Sequence, residues 1–228
     1  MNMKLINRLA VLGLLCGVSG IASAVAITDP VGDFLPSYVN RPLGADLDVV
    51  SADVIYHPGS HQFEFIGTMA GAIGTTPAAG VESVLYVWGV DRGQGTERFL
   101  AGSPSIGDGV AFDSVVILNP NGTITINLFG LGGGATVLPT GALFSGNTIS
   151  AFLDETLLPS TGAAFSDYTW NLWPRFGAGN NAQISDFAPN EVAGAIDAAN
   201  NPVSVPEPSS LALLGIGALA LLRRRQVR

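Results

Sequence analysis

Apolar and polar positions alternate from Val49 to Tyr56, with Val50, Ala52, Val54 and Tyr56 on one side and Ser51 and Asp53 on the other. A period of two marks a half-buried strand. His57-Pro58-Gly59-Ser60-His61 is turn chemistry, after which Phe63 and Phe65 resume the inward face. Within Val81 to Val90, the run Val84-Leu85-Tyr86-Val87-Trp88 is apolar on both faces, as suits a strand covered on both sides, and Gly93 and Gly95 end it. The strongest local pattern is Phe112 to Leu118, then Asn119-Pro120-Asn121-Gly122, then Thr123 to Phe129. Proline is preset at the second turn position and glycine stands where a positive φ is needed, between two β-branched runs, which predicts a hairpin. Leu131 to Pro139 reads as a glycine-rich link, Thr148 to Leu153 as another strand, and Tyr168 to Trp173 as a late aromatic strand before Pro174.

The two ends break this pattern. Lys4 and Arg8 precede an apolar run from Leu9 to Val18, and Ala22-Ser23-Ala24 then offers the small residues of a signal-peptidase site, so cleavage after Ala24 is expected to leave Val25 first. Cys16 is the single cysteine, and Leu15 before it is too large for lipoprotein processing; the mature chain therefore needs no disulfide. At the other end Val205-Pro206-Glu207-Pro208-Ser209-Ser210 leads into apolar Leu211 to Leu222, closed by Arg223-Arg224-Arg225. Twelve residues make roughly 18 Å of helix against roughly 30 Å of bilayer hydrocarbon, a marginal anchor with its arginines on the cytoplasmic side. Pro206 and Pro208 deny helical hydrogen bonds and hold the box extended, the form that proteases bind. A simple tail anchor is the alternative; a basic helix lying on the membrane is disfavoured because the segment is apolar all round.

This tail resembles the PEP-CTERM protein-sorting signal. The resemblance implies recognition by exosortase, an integral-membrane transpeptidase-like protease, with Pro206, Glu207 and Pro208 as the recognition box and Arg223, Arg224 and Arg225 as the basic end. It further implies an exported protein of a Gram-negative bacterium. Such a protein is held transiently at the inner membrane, then delivered to the cell surface or into exopolysaccharide and biofilm matrix. Signal peptidase and exosortase are the implied partners.

The chain thus divides into a signal peptide at 1–24, an ectodomain at 25–189, a small-residue flexible linker at 190–205 and the sorting signal at 206–228. The spacing of strands and turns predicts an all-β fold, an antiparallel β-sandwich of jelly-roll-like kind, between an N-terminal signal helix and a C-terminal hydrophobic sorting helix. Between Val25 and Val205 four arginines face seventeen acids, a net of −13, which makes nucleic acid and anionic lipid poor partners, and no nucleic-acid partner is expected.

Asp29-Pro30-Val31-Gly32-Asp33, followed by Asp46-Leu47-Asp48, gathers carboxylates that can supply the oxygens Ca2+ takes; Asp29, Asp33, Asp46 and Asp48 are the candidate ligands. Aspartate before proline or glycine is also ordinary turn chemistry, and no EF-hand spacing is present. Over about the first forty mature residues this opening resembles carbohydrate-binding and related extracytoplasmic sandwich modules. In Tyr168 to Phe176 the period of two puts Trp173 opposite Trp170, so an exposed Trp173 flanked by Asn171 and Arg175 can stack on and orient a sugar ring; the other reading is a tryptophan that covers a sheet edge. His57 and His61 lack a third ligand nearby and read as turn residues. Gly215 to Ala220 matches a dinucleotide fingerprint only formally, with no βαβ unit around it. No nucleophile elbow, zinc-protease motif or cysteine nucleophile is present in the mature chain, and Asp154-Glu155, adjacent on a strand, point apart. The expected protein is non-enzymatic, structural, adhesive or exopolysaccharide-binding. A polysaccharide-acting enzyme and a Ca2+-dependent matrix assembly protein are the alternatives.

Overall fold

The computed structural model describes residues 26–130, 133–190 and 199–206. The signal segment with Ala22 and Ala24, and the tail from Glu207 with Pro208, Arg223, Arg224 and Arg225, lie outside the described residues. The strands are β1 (Ile27–Thr28), β2 (Val49–His57), β3 (Gln62–Met69), β4 (Val84–Asp91), β5 (Ser114–Leu118), β6 (Ile124–Leu128), β7 (Gly134–Leu138), β8 (Leu143–Ser145), β9 (Thr148–Asp154), β10 (Thr169–Phe176) and β11 (Asn201–Pro202). One sheet has the order β1-β2-β3-β9-β8 and the other β11-β10-β4-β5-β6-β7, with every ladder antiparallel. The fold is an antiparallel β-sandwich.

The hairpin forms where the pattern placed it: Leu118 pairs with Ile124, Gly122 has φ +90°, and the Asn119 carbonyl accepts from the Gly122 N–H at 2.9 Å. Along β2, Ala52, Val54 and Tyr56 point inward as expected, but Val50 is only half-buried and Val49 takes the core position. A register shift between Val49 and Ser51 is the cause, since a bulge switches the face of the residues beyond it. Residues 134–138, expected in a link, instead form edge strand β7, exposed along nearly its whole length.

Trp88 fills the space between the sheets, edge-on to Phe65 of β3 at 5.9 Å, and Tyr168 stacks on Phe63 at 5.4 Å. β10 continues through Pro174, which the sequence pattern had as a boundary. Leu172 exchanges backbone hydrogen bonds with Ala188, and the Pro174 carbonyl accepts from Ser185 N–H at 3.0 Å. The backbone polar groups of Leu172 and Pro174 thus point to the irregular segment 184–188 rather than to β4, so the missing proline N–H falls outside the β4 ladder.

That irregular segment, residues 29–35 and residues 199–206 together close the side of the sandwich where β1 and β11 lie. Leu35 N–H donates to Ser185 O at 2.8 Å, and Ser185 Oγ donates to Leu47 O at 2.7 Å. The flexible linker expected at 190–205 does not extend over 199–206. β11 pairs with β10, Val203 is buried and donates to Tyr168 O, and Ser204 bridges to β2 through Val54 O and Tyr56 N, both at 2.8 Å. Asn200 and Ser204 side chains bind Ala111 O and Asp53 Oδ1, so this stretch is cemented by polar side chains where apolar bulk is lacking.

Candidate metal centre and sorting tail

Three carboxylates meet on the closed side. Asp29 follows β1, Asp33 ends the Pro30-Val31-Gly32 turn, and Asp186 lies in the segment that runs beside β10; one oxygen of each lies within 4.8 Å of the others. Gly32, at φ +85°, lets the turn double back so that Asp29 and Asp33 face the same point. Its N–H donates to Asp48 Oδ2 at 2.8 Å and brings a fourth carboxylate alongside. Asp186 is fully buried, accepting from Val49 N–H at 3.0 Å and Phe187 N–H at 2.8 Å. Asn190 Nδ2 donates to Asp33 Oδ2 at 3.1 Å.

The charges in this group oppose one another. Burial, and then the charge of Asp33, pushes the Asp29 carboxyl up to about 7; Asp186 lies within hydrogen-bonding reach of it. Burial raises Asp48, partly offset by the Gly32 N–H. Burial, followed by the charge of Asp29, raises Asp186 well above the usual carboxylate range.

Of the four acids picked from sequence as Ca2+ ligands, Asp29 and Asp33 converge, Asp48 stands beside them through the Gly32 N–H, and Asp46 does not join them. The Asp46 carboxylate is turned to Thr76, accepting from its N–H at 3.0 Å and from its hydroxyl, so it pins a loop instead. Asp186, 138 residues beyond Asp48, meets Asp29 and Asp33 instead. Its one signal in the sequence is a lone charge among Ile184, Phe187 and Ala188.

The sugar-stacking constellation is not present. Trp173 is 1 % exposed, because the β4–β5 connection folds over the outer face of its sheet. Phe99 and Phe112 from that connection and Phe187 contact its ring at 4.8, 5.1 and 6.3 Å. Gly89 makes the room, since a Cβ there would lie 2.1 Å from the indole. Asn171 is also buried, its Nδ2 donating to Pro189 O and Ala199 O at 2.8 Å. Arg175 donates to Gly177 O and Asn180 O, and burial, reinforced by Arg41, draws it down to about 10. All three hold the fold.

The remaining candidates are likewise committed. His57 pairs with Glu64 at 2.9 Å, whereas His61 pairs with Glu155 at 3.0 Å. Glu155 also accepts from Tyr56 Oη, while Asp154 caps Thr156. A cleft of about 300 Å³ between residues 74–78 and 119–121 has Thr76, Ser83, Asn119 and Asn121 as its polar lining, without an acid, base or aromatic ring.

At the other end of the closed side, Ser204 is buried and Pro206 is exposed two residues later. Residues 204–226 match the PEP-CTERM protein-sorting motif. This motif supports an exported protein sorted by exosortase. The chain carries the motif over these residues, and no family is assigned to the sandwich itself. No curated protein and no solved structure matches the chain. Among the described residues no helix is long and apolar enough to cross a membrane; the apolar stretch from Leu211 lies outside them.

Proposed function

We propose that the protein is a non-enzymatic, structural or adhesive component of the cell surface or extracellular matrix, released from its membrane anchor by exosortase. The observation that carries this reading is the sorting motif that begins inside the folded body, at Ser204. From Ser204 to Leu211 is seven residues, at most about 25 Å of extended chain, so the sandwich stays close to the membrane until it is cut. The acidic surface favours neutral or cationic partners, neutral exopolysaccharide among them. The commitment of Asp154, Glu155, His57 and His61 to structural pairs supports a role without catalysis.

Replacing Pro206, Glu207 and Pro208 together by alanine in the producing cell tests the reading. The expected result is accumulation in the membrane fraction of a chain whose mass still includes Arg223, Arg224 and Arg225. Unchanged mass and unchanged surface delivery would contradict it.

A further inference from the structure

We propose that Asp29, Asp33 and Asp186, with Asp48 beside them, bind one hard divalent cation, best suited to Ca2+, that fastens the N-terminal segment to the sandwich. The donors are all carboxylate oxygens, the set that Ca2+ and Mg2+ take and that Zn2+ and copper do not favour. Oxygens of Asp29, Asp33 and Asp186 lie within 4.8 Å of one another, close enough for small side-chain rotations to bring all three to the Ca–O distance of about 2.3–2.6 Å from a single ion. Asp48 stands beside them, held by Gly32.

A second, separate observation points to a ligand. Asp48 is 3 % exposed and Asp29 9 %, yet Asp48 Oδ1 and Asp29 Oδ2 are sealed from solvent and accept no hydrogen bond. A buried carboxylate oxygen facing no donor is costly unless a positive charge meets it. Among the described residues the chain supplies none to these two oxygens. Between Val25 and Val205 its only basic side chains besides histidine are Arg41, Arg92, Arg98 and Arg175. Arg41 is paired with Glu82 and Arg92 with Asp113; Arg98 donates to Phe112 O and lies over Phe129, and Arg175 is spent on backbone carbonyls. Burial of three of the four acids leaves little room for the water shell that Mg2+ retains, which favours Ca2+.

The ion would act as a clasp. Residues 29–35 are held by few backbone bonds, Asp29 N–H to Val50 O and Leu35 N–H to Ser185 O, and the cation joins residue 29 to residue 186 across the closed side. This proposal does not depend on the surface role, and it stands or falls separately from exosortase processing.

The test is thermal unfolding of the full chain in detergent, read by the fluorescence of buried Trp88, Trp170 and Trp173, in millimolar Ca2+, Mg2+ or EDTA. Ca2+ is expected to raise the Tm by about 5–10 °C at a hundredfold excess over Kd. Asp186→Asn and Asp33→Asn should each remove at least half of that rise, while exposed Asp108→Asn keeps it whole. Should Asp186→Asn not fold, Asp33→Asn at a half-exposed position carries the comparison. Equal Tm in Ca2+ and EDTA, or a rise kept in full by both variants, would overturn the site, and an equal rise with Mg2+ would overturn the preference for Ca2+.

Discussion

Arg92 with Asp113, and Asp29 with Asp33, Asp48 and Asp186, are two buried charged regions of one sandwich, and they are built differently. Arg92 is 1 % exposed and spends its guanidinium on Asp113 Oδ1 at 2.8 Å, Asp113 O at 3.1 Å and Pro159 O at 2.8 Å. Asp113 also accepts from the Arg92 N–H and from Thr161 Oγ1. Every charge there has a partner of opposite sign or a dipole aimed at it. In the carboxylate group, backbone N–H groups meet Asp186 and one oxygen of Asp48, while among the described residues Asp48 Oδ1 and Asp29 Oδ2 meet no donor. The difference teaches that buried charge in this fold is of two kinds, one closed by the protein and one left open to an ion from outside.

Breaking the closed region should have the largest effect. Arg92→Met leaves Asp113 buried without its cation and is expected to cost about 3–5 kcal/mol in urea unfolding, with Ca2+ giving the same increment as in the wild-type chain. Removing the ion from the open region comes next: at a hundredfold excess over Kd, EDTA should lower stability by about 2.7 kcal/mol.

The pH dependence without metal sharpens the contrast. The Asp29 carboxyl is pushed up to about 7, whereas an unfolded chain gives about 3.9, and the groups facing it are the acids Asp33, Asp48 and Asp186. Between these values the native chain keeps a proton that the unfolded chain has lost. Metal-free stability therefore falls as pH rises from about 4 to about 7 and then levels. Asp48, Asp53 and Asp186, raised by burial, act in the same direction, while exposed Asp154, lowered by its Thr156 hydrogen bonds, acts oppositely. Ca2+ requires the ionised carboxylates, so its stabilising increment should grow over the same range. Unfolding midpoints at several pH values, with EDTA and with Ca2+, give the two slopes. The smallest effect is Asp29→Asn in EDTA at neutral pH. Relief of repulsion should raise the Tm by about 2–4 °C, roughly 1 kcal/mol for a domain of this size, while weakening the Ca2+ response.

The sequence showed much of the sheet framework and only part of the site, for physical reasons. The Asn119-Pro120-Asn121-Gly122 hairpin and the doubly apolar β4 were legible because turn chemistry and periodicity are local. Val50 was misplaced because a bulge leaves no mark in the alternation. The period of two leaves Trp173 either exposed or covering a sheet edge, because it does not reveal what lies over the outer face, and here Phe99, Phe112 and Phe187 cover it as a third layer built from connections. Gly89 beside two bulky strands was the one hint of a large ring above the sheet. Asp29, Asp33 and Asp48 were visible as a cluster near the start. Asp46 was counted with them because spacing does not reveal direction, and Asp186 was missed because tertiary closure alone brings it there. The strap at 199–206 looked like a linker since its small polar residues are held through backbone pairing and side-chain amides.

Crystals of the full chain grown with Ca2+, and measured for the ion's anomalous scattering, test the central claim most directly. The account predicts one peak bounded by Asp29, Asp33 and Asp186, with their carboxylate oxygens at about 2.3–2.6 Å, Asp48 alongside and the Arg92–Asp113 pair unchanged. Absence of a peak there, at Ca2+ concentrations that alter no unfolding midpoint, would contradict it.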